Sequence, residues 1–443
     1  MQFDITNYTE ETLTDGTQAV SYRAYRDVPY IEKPAAPKLQ VLNIFIPQAY
    51  IQGEPVGNYS SKTAPIFFPN GIGGYMDSKP CSPAVREDGT WNTEAQALLH
   101  GYVVISAGAR GKNTCNGVKY IGKAPACIVD QKAAIRFLRS IADKICGDAG
   151  KIISNGTSAG GAVSALLGAT GDAEESLPYL EELGAADTSD RIFASSCYCP
   201  IIDLDHSDMA YEWQFGHLSQ QHYDDWSSGK PVPKITDLNA RQLALSEKLA
   251  RQFVPYLDSI GITEQSLLSL IEERILDEAK KTASQGITIP PECGICNDFT
   301  GMDFRQYCTY ITRMKPPCCF DNPDWNTWED ELFGTEDSNG RHFTDFAFSE
   351  DTTGRDIAPQ EVVKLMNPLH FLNNEGCVKH WRIRHGAADR DTSFAVSAIL
   401  TTKLREHGRN VDYALPWGVP HSGNYDLKEL FAWIDAICSK EKK

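Results

Sequence analysis

The 443-residue sequence predicts an α/β fold built on a mostly parallel sheet, and three observations predict it. Short apolar runs rich in β-branched residues alternate with amphipathic helical patterns. A Gly156-Thr157-Ser158-Ala159-Gly160 turn stands between one such run and a helical pattern. The alternation then gives way to long helices over 205–365 and resumes near the C-terminal end.

The strands are expected at 41–46, 64–68, 103–106, 152–154, 193–198, 381–384 and 411–415, where apolar runs are continuous or alternate with period two. Continuous runs suit strands covered on both faces, and the 129–142 pattern supplies one covering helix through Ala133, Ile135, Phe137, Leu138 and Ile141. From about Asp205 the pattern is different. Helices are expected over 238–257 and 263–283, the second with Leu267, Leu270, Ile271, Leu276 and Ala279 at helical spacing. An aromatic, Pro- and Cys-rich stretch through Pro316, Pro317, Phe320, Trp325 and Trp328 reads as packed loop. The chain therefore divides into a core, 1–204 with 366–443, and an insertion, 205–365, that is mainly helical and long enough to form a lid or cap.

Composition excludes several function classes. The 42 basic and 59 acidic residues leave a net charge of −17, which opposes nucleic-acid binding because that affinity rests on clustered Lys and Arg. No stretch approaches the ~18 apolar residues of a membrane span. The start, Met1 to Asn7, carries neither a basic region nor an apolar core of the kind secretory leaders have, so a cytoplasmic chain is expected. Thirteen cysteines are many and odd in number, which fits reduced thiols better than a disulfide framework. Cys293, Cys296, Cys308, Cys318 and Cys319 lie close in sequence but lack a second clean C-x-x-C, so no metal is expected there. No cofactor motif is found, and a monomer acting on a small molecule is the expected state.

The chemistry centres on Ser158. A serine between small residues where a strand becomes a helix is a nucleophile elbow, which exposes the hydroxyl above the sheet. Such a hydroxyl needs a base, and the base needs an orienting acid. In the α/β-hydrolase order both follow the serine. After the 381–384 strand, the turn His385-Gly386-Ala387-Ala388-Asp389-Arg390-Asp391 presents acids at the carboxyl edge of the sheet, where ligands of parallel sheets gather. After the 411–415 strand, Pro420-His421-Ser422-Gly423 presents a loop histidine ahead of a closing helix from about Leu427. Ser158, Asp389 and His421 thus form the candidate triad, with Asp391 as the alternative acid and His385 and His206 as competing bases. His385 is expected to brace its turn, while His206 sits among Asp203, Asp205 and Asp208. The oxyanion donors are expected from the Ala159 N–H and from the loop Asn70-Gly71-Ile72-Gly73-Gly74-Tyr75. The spacing of that loop fits neither of the glycine-rich phosphate-binding patterns.

With these residues in hand, the chain resembles bacterial tannases of the lactobacillus type, within the α/β-hydrolase superfamily, through nearly its whole length. The resemblance is carried by Asn70 to Tyr75, Asn155 to Gly161, Asp208-Met209-Ala210-Tyr211-Glu212-Trp213-Gln214-Phe215, His380 to Ser393 and Pro420 to Gly423. It implies hydrolysis of galloyl esters by Ser158, Asp389 and His421, with the amides of Gly74 and Ala159 as oxyanion hole. It further implies that Lys315, Glu329 and Asp391 hold the three phenolic hydroxyls. Pro316-Pro317-Cys318-Cys319 and Trp328 depart from the pattern expected around them. A broader phenolic-acid or feruloyl esterase with the same triad is the alternative, and a catalytically silent binding protein on the same scaffold is a second.

Overall fold

The computed structural model describes residues 3–440. Thirteen strands are present among them: β1 (Thr9–Thr14), β2 (Ala19–Pro29), β3 (Val41–Pro47), β4 (Pro65–Pro69), β5 (Val103–Ala107), β6 (Cys115–Asn116), β7 (Lys119–Tyr120), β8 (Asp148–Thr157), β9 (Ala194–Tyr198), β10 (Gln220–Asp225), β11 (Val232–Asp237), β12 (His380–Arg384) and β13 (Asn410–Ala414). Nine of them form one sheet in the order β1-β2-β3-β5-β4-β8-β9-β12-β13. From β5 to β13 every neighbouring pair is parallel, whereas β1, β2 and β3 add on antiparallel at one edge. The fold is that of an α/β-hydrolase.

The parallel strands follow directly from their sequences. β4, β5, β9 and β12 are buried at every residue, as strands covered by helices on both faces must be. Helix Ala126–Ser140 supplies part of that cover, beginning three residues before the expected 129. The antiparallel edge and the β10–β11 hairpin were not foreseen. β1 reads Thr-Glu-Glu-Thr-Leu-Thr and β11 is exposed throughout, so neither carries the apolar run that marks a strand.

Between β9 and β12 no strand joins the main sheet among the described residues. Helices Ala240–Ser259 and Glu264–Ser284 lie within two residues of their expected bounds and bury single stripes, Leu245, Leu249, Phe253 and Leu257 on one and Leu267, Ile271, Ile275 and Ala279 on the other. The aromatic stretch differs from expectation. Phe320 is fully buried, but Trp325 and Trp328 are 45% and 59% exposed.

Candidate active site

β8 ends at Thr157 and helix Ala159–Ala169 begins at once, leaving Ser158 in the turn with φ 62° and ψ −125°. A non-glycine residue in that region is strained by about 1–3 kcal/mol and must be held by its surroundings. Three bonds do so: the Ser158 N–H donates to the Tyr198 carbonyl at 3.0 Å, and its own carbonyl accepts from the Ala162 N–H at 3.0 Å and the Ile201 N–H at 3.2 Å. The turn closes so tightly that a Cβ on Gly156 would lie 2.1 Å from the Gly160 carbonyl oxygen, which is why glycine stands there.

The relay is assembled from three strand ends. His421 Nδ1 donates to Asp389 Oδ2 at 2.7 Å, which leaves Nε2 to accept from the Ser158 hydroxyl at 2.9 Å. Asp389 is fully buried, and its other oxygen accepts the Asp391 N–H at 2.8 Å. Burial alone would raise the Asp389 carboxyl, but His421 and His385 override it and hold it well below the usual carboxylate range. Burial likewise opposes the His421 imidazolium, yet the Asp389 charge raises it above the ordinary histidine value. An imidazole so placed can take the serine proton and return it to a leaving group.

The rival residues occupy other places. His385 is buried behind the relay, its Nε2 3.2 Å from Asp389 Oδ2 and its Nδ1 2.9 Å from Ser397 Oγ. His206 stacks on Tyr256 with ring centroids 3.7 Å apart and faces Asp203 and Asp205 instead of the serine. Asp391 points its carboxylate at Lys315, 3.2 Å away.

The glycine loop is locked against the elbow by Asn70, whose Nδ2 donates to the carbonyls of Asn155 at 3.2 Å and Gly160 at 3.0 Å. Gly74 has φ 53°, a left-handed conformation that favours glycine. Among the described residues neither the Gly74 nor the Ala159 backbone N–H has a protein acceptor, and both residues line one cavity with Ser158. Ala159 opens its helix, so its N–H has no intrahelical partner. Two free donors beside a nucleophile can stabilise an oxyanion.

That cavity measures about 590 Å³ and also holds Lys315, Glu329, Asp391 and His421. Burial favours the neutral Lys315 amine, but the Asp391 charge keeps it protonated and raises it above the usual lysine range. Glu329 is pushed up by burial, a shift that Lys315 opposes. An ammonium and two carboxylates lining one cavity are a set of partners for adjacent phenolic hydroxyls, which both donate and accept.

Helix Leu204–Phe215 is what brings these groups together, through residues for which the sequence indicates no role. Asp208 accepts the Phe320 and Asp321 N–H groups at 3.1 and 2.8 Å. The Tyr211 hydroxyl accepts the Lys315 N–H and donates to the Arg390 carbonyl, both at 3.0 Å, tying together the two segments that carry Lys315 and Asp391. Glu212 pairs with Arg313 through two oxygens at 2.8 and 2.5 Å, with both side chains fully buried. Arg313 Nε in turn donates to the Lys315 carbonyl at 2.7 Å. The available signal was two acids, Asp208 and Glu212, on the helix face that also carries Leu204, Tyr211 and Phe215.

Cys199 is a second residue that sequence reasoning missed. Its buried Sγ lies 3.9 Å from His421 Nε2 and donates to the Ser422 carbonyl at 3.4 Å. None of the thirteen cysteines, all among the described residues, is in a disulfide. Among the described residues, three groups of three potential metal ligands lie close together: Cys199 with Asp389 and His421, Asp203 with Asp205 and His206, and Asp321 with Asp330 and His342. Cys293, Cys296, Cys308, Cys318 and Cys319 belong to none of them. No helix among the described residues is long and apolar enough to cross a membrane.

A strand-borne elbow serine, a following acid and a late loop histidine on this sheet are the parts of an α/β-hydrolase. Residues 83–199 match the family model described as BD-FAE. No curated protein matches the chain. Among solved structures, the Fusobacterium nucleatum tannase is 38% identical with a TM-score of 0.94, covering 98% of this chain and 99% of that one. The tannase from Lactobacillus plantarum is 40% identical at a TM-score of 0.93, covering 98% of each chain. A tannin acyl hydrolase solved in complex with ethyl gallate is 41% identical at 0.92, again covering 98% of each chain. The chain belongs to the tannase family of carboxylic ester hydrolases.

Proposed function

We infer that this chain hydrolyses galloyl esters through an acyl-enzyme. The observation that carries the reading is the presence of Lys315, Glu329 and Asp391 in the same cavity as the Ser158–His421–Asp389 relay. Ser158 Oγ attacks the galloyl carbonyl as His421 Nε2 takes its proton. The negative oxygen of the tetrahedral intermediate accepts from the Gly74 and Ala159 N–H groups. The ester C–O bond breaks, and His421 delivers the proton to the departing alcohol. Water then attacks the galloyl-serine carbonyl with His421 again as base, releasing gallic acid and restoring the serine.

Lys315, Glu329 and Asp391 bind the three hydroxyls of the acyl ring. A pocket of charged groups built for hydroxyls discriminates strongly, because an analogue lacking them leaves those charges unpaired. In this reading 205–365 is the lid or cap over the core and supplies the acid-recognition side. Thirteen cysteines without a disulfide suit a reducing compartment, and cytoplasmic residence is part of the proposal.

The test compares methyl gallate with methyl ferulate. Methyl gallate is expected to be cleaved and Ser158→Ala to abolish that turnover. Glu329→Gln and Asp391→Asn are expected to lower kcat/KM for methyl gallate by about 10–100-fold, the loss of one or two charge-assisted hydrogen bonds, and to affect simple phenyl esters far less. Equal losses on both, or faster turnover of methyl ferulate, would instead favour a broader phenolic-acid esterase.

A further inference from the structure

Asp389 Oδ2 faces two imidazoles. His421, which lines the cavity, donates to it from Nδ1 at 2.7 Å, and His385 Nε2 stands 3.2 Å from the same oxygen. His385 is fully buried and forms no part of the cavity wall. Its Nε2 makes no aligned hydrogen bond among the described residues, so the carboxylate is the acceptor within its reach.

The far side of the ring decides where its proton sits. Nδ1 lies 2.9 Å from Ser397 Oγ, which in turn lies 3.1 Å from both the Tyr413 hydroxyl and the Phe394 carbonyl. Burial raises the Tyr413 phenol above its ordinary value, so it keeps its proton and donates to Ser397. The single Ser397 proton then goes to His385 Nδ1 or to the Phe394 carbonyl. In the first case the neutral ring carries its proton on Nε2. In the second, Nδ1 donates to Ser397, and a bare Nε2 would set its lone pair against the carboxylate, so Nε2 is protonated as well. Both arrangements turn an N–H toward Asp389.

Asp389 must stay ionised and fixed in direction while His421 gains and loses a proton in each half of the reaction. The Asp391 N–H holds one of its oxygens at 2.8 Å. Without His385 the other would keep, among the described residues, only the histidine it orients. We propose that His385 is a positioning residue of the relay, its Nε2–H anchoring Asp389 Oδ2 to the end of β12 and setting how much of the carboxylate charge His421 feels. The inference rests on the Ser158–His421–Asp389 relay proposed above and is independent of the acyl group. The other titratable groups near the pair are the Cys199 thiol, 3.9 Å from His421 Nε2, and Tyr413 beyond Ser397, while the Asp391 carboxylate is turned to Lys315.

The test follows methyl gallate and a simple phenyl ester side by side, over a range of pH, with the full chain. His385→Phe keeps a ring but removes both nitrogens. It is expected to lower kcat by about tenfold on both esters, with KM within about twofold, because a bond to a charged acceptor is lost away from the cavity. More of the Asp389 charge then reaches His421, so the acid limb of kcat/KM is expected to move up by about half a pH unit. His385→Gln sets an amide N–H near the Nε2 position and is expected to bring kcat to within about threefold of wild type, with the limb restored. Ser397→Ala leaves His385 in place without its Nδ1 partner and is expected to cost about threefold in kcat. A folded His385→Phe with wild-type kcat and an unmoved limb would overturn the proposal, as would His385→Gln no better than His385→Phe. Should neither His385 variant fold by circular dichroism, an unchanged kcat in Ser397→Ala overturns it. Cleavage of the phenyl ester alone by the wild type would sink the galloyl reading and leave the His385 comparison intact, whereas undiminished turnover by Ser158→Ala would sink the relay and His385 with it.

Discussion

Replacing Arg313 by methionine tests how the acyl-recognition segment is held. Arg313 and Glu212 are both fully buried and paired through two hydrogen bonds, and the Ser246 hydroxyl also donates to the Glu212 carboxylate, at 2.5 Å. Methionine fills much of the volume but leaves a buried carboxylate without its cation, a loss of about 3–5 kcal/mol. The Lys315 carbonyl also loses its donor, which adds about 1 kcal/mol and frees the backbone beside the recognition lysine. Urea unfolding followed by fluorescence should therefore show a large fall in midpoint with little change in slope. The double variant Arg313→Met with Glu212→Leu removes both charges, and buried pairs replaced by apolar residues are often neutral in stability. Stability is thus expected to return in the double variant while KM for methyl gallate stays raised by about tenfold, since one charge-assisted contact from Lys315 is worth roughly 1.5–3 kcal/mol. A single variant that loses less than about 1 kcal/mol would refute the reasoning, given the 3–5 kcal/mol scale of an orphaned buried charge. So would a double variant with normal KM, because it would show that Arg313 does not position Lys315.

Two further outcomes concern the relay. Asp389→Asn is expected to lower kcat for methyl gallate by roughly 10⁴, because the amide no longer selects the Nδ1-protonated tautomer of His421, while far-ultraviolet circular dichroism stays native. The pH profile of kcat/KM carries a definite sign: His421 acts as base only when neutral, so activity falls as pH drops through its folded-state pKa. Asp389 raises that pKa, which puts the acid limb above the ordinary histidine value of about 6.5. The residual activity of Asp389→Asn should have its limb shifted to lower pH, and a limb that does not move would contradict the electrostatic coupling.

The residues differ in how far sequence betrays them. Ser158, Asp389 and His421 were legible because each lies past a strand that runs apolar or alternates with period two, and their chain order follows the α/β-hydrolase pattern. The buried parallel strands were legible for the same reason, whereas β1, β10 and β11 carry polar or exposed residues; β2 does alternate through Val20, Tyr22 and Ala24, a short period set among charged residues. Lys315 and Glu329 sit in irregular segments where periodicity says nothing, so only the family resemblance singled them out. Cys199 reaches His421 through a positive φ of 34° that no local pattern announces. The tryptophans misled because aromatic residues among prolines usually pack inward, and here the loop turns two of them toward the cavity.

Helix Leu204–Phe215 holds the segments bearing Lys315 and Asp391 through Asp208, Tyr211 and Glu212, while Ser158 and His421 are mounted on sheet ends that depend on none of those three contacts. In the proposed roles, Lys315 and Glu329 are therefore carried apart from the relay, while Asp391 stays bonded to its acid, Asp389. A lineage could exchange the side chains from Lys315 to Glu329, keep Arg313 and the backbone bonds to Asp208 and Tyr211, and meet a different acyl group without rebuilding the relay.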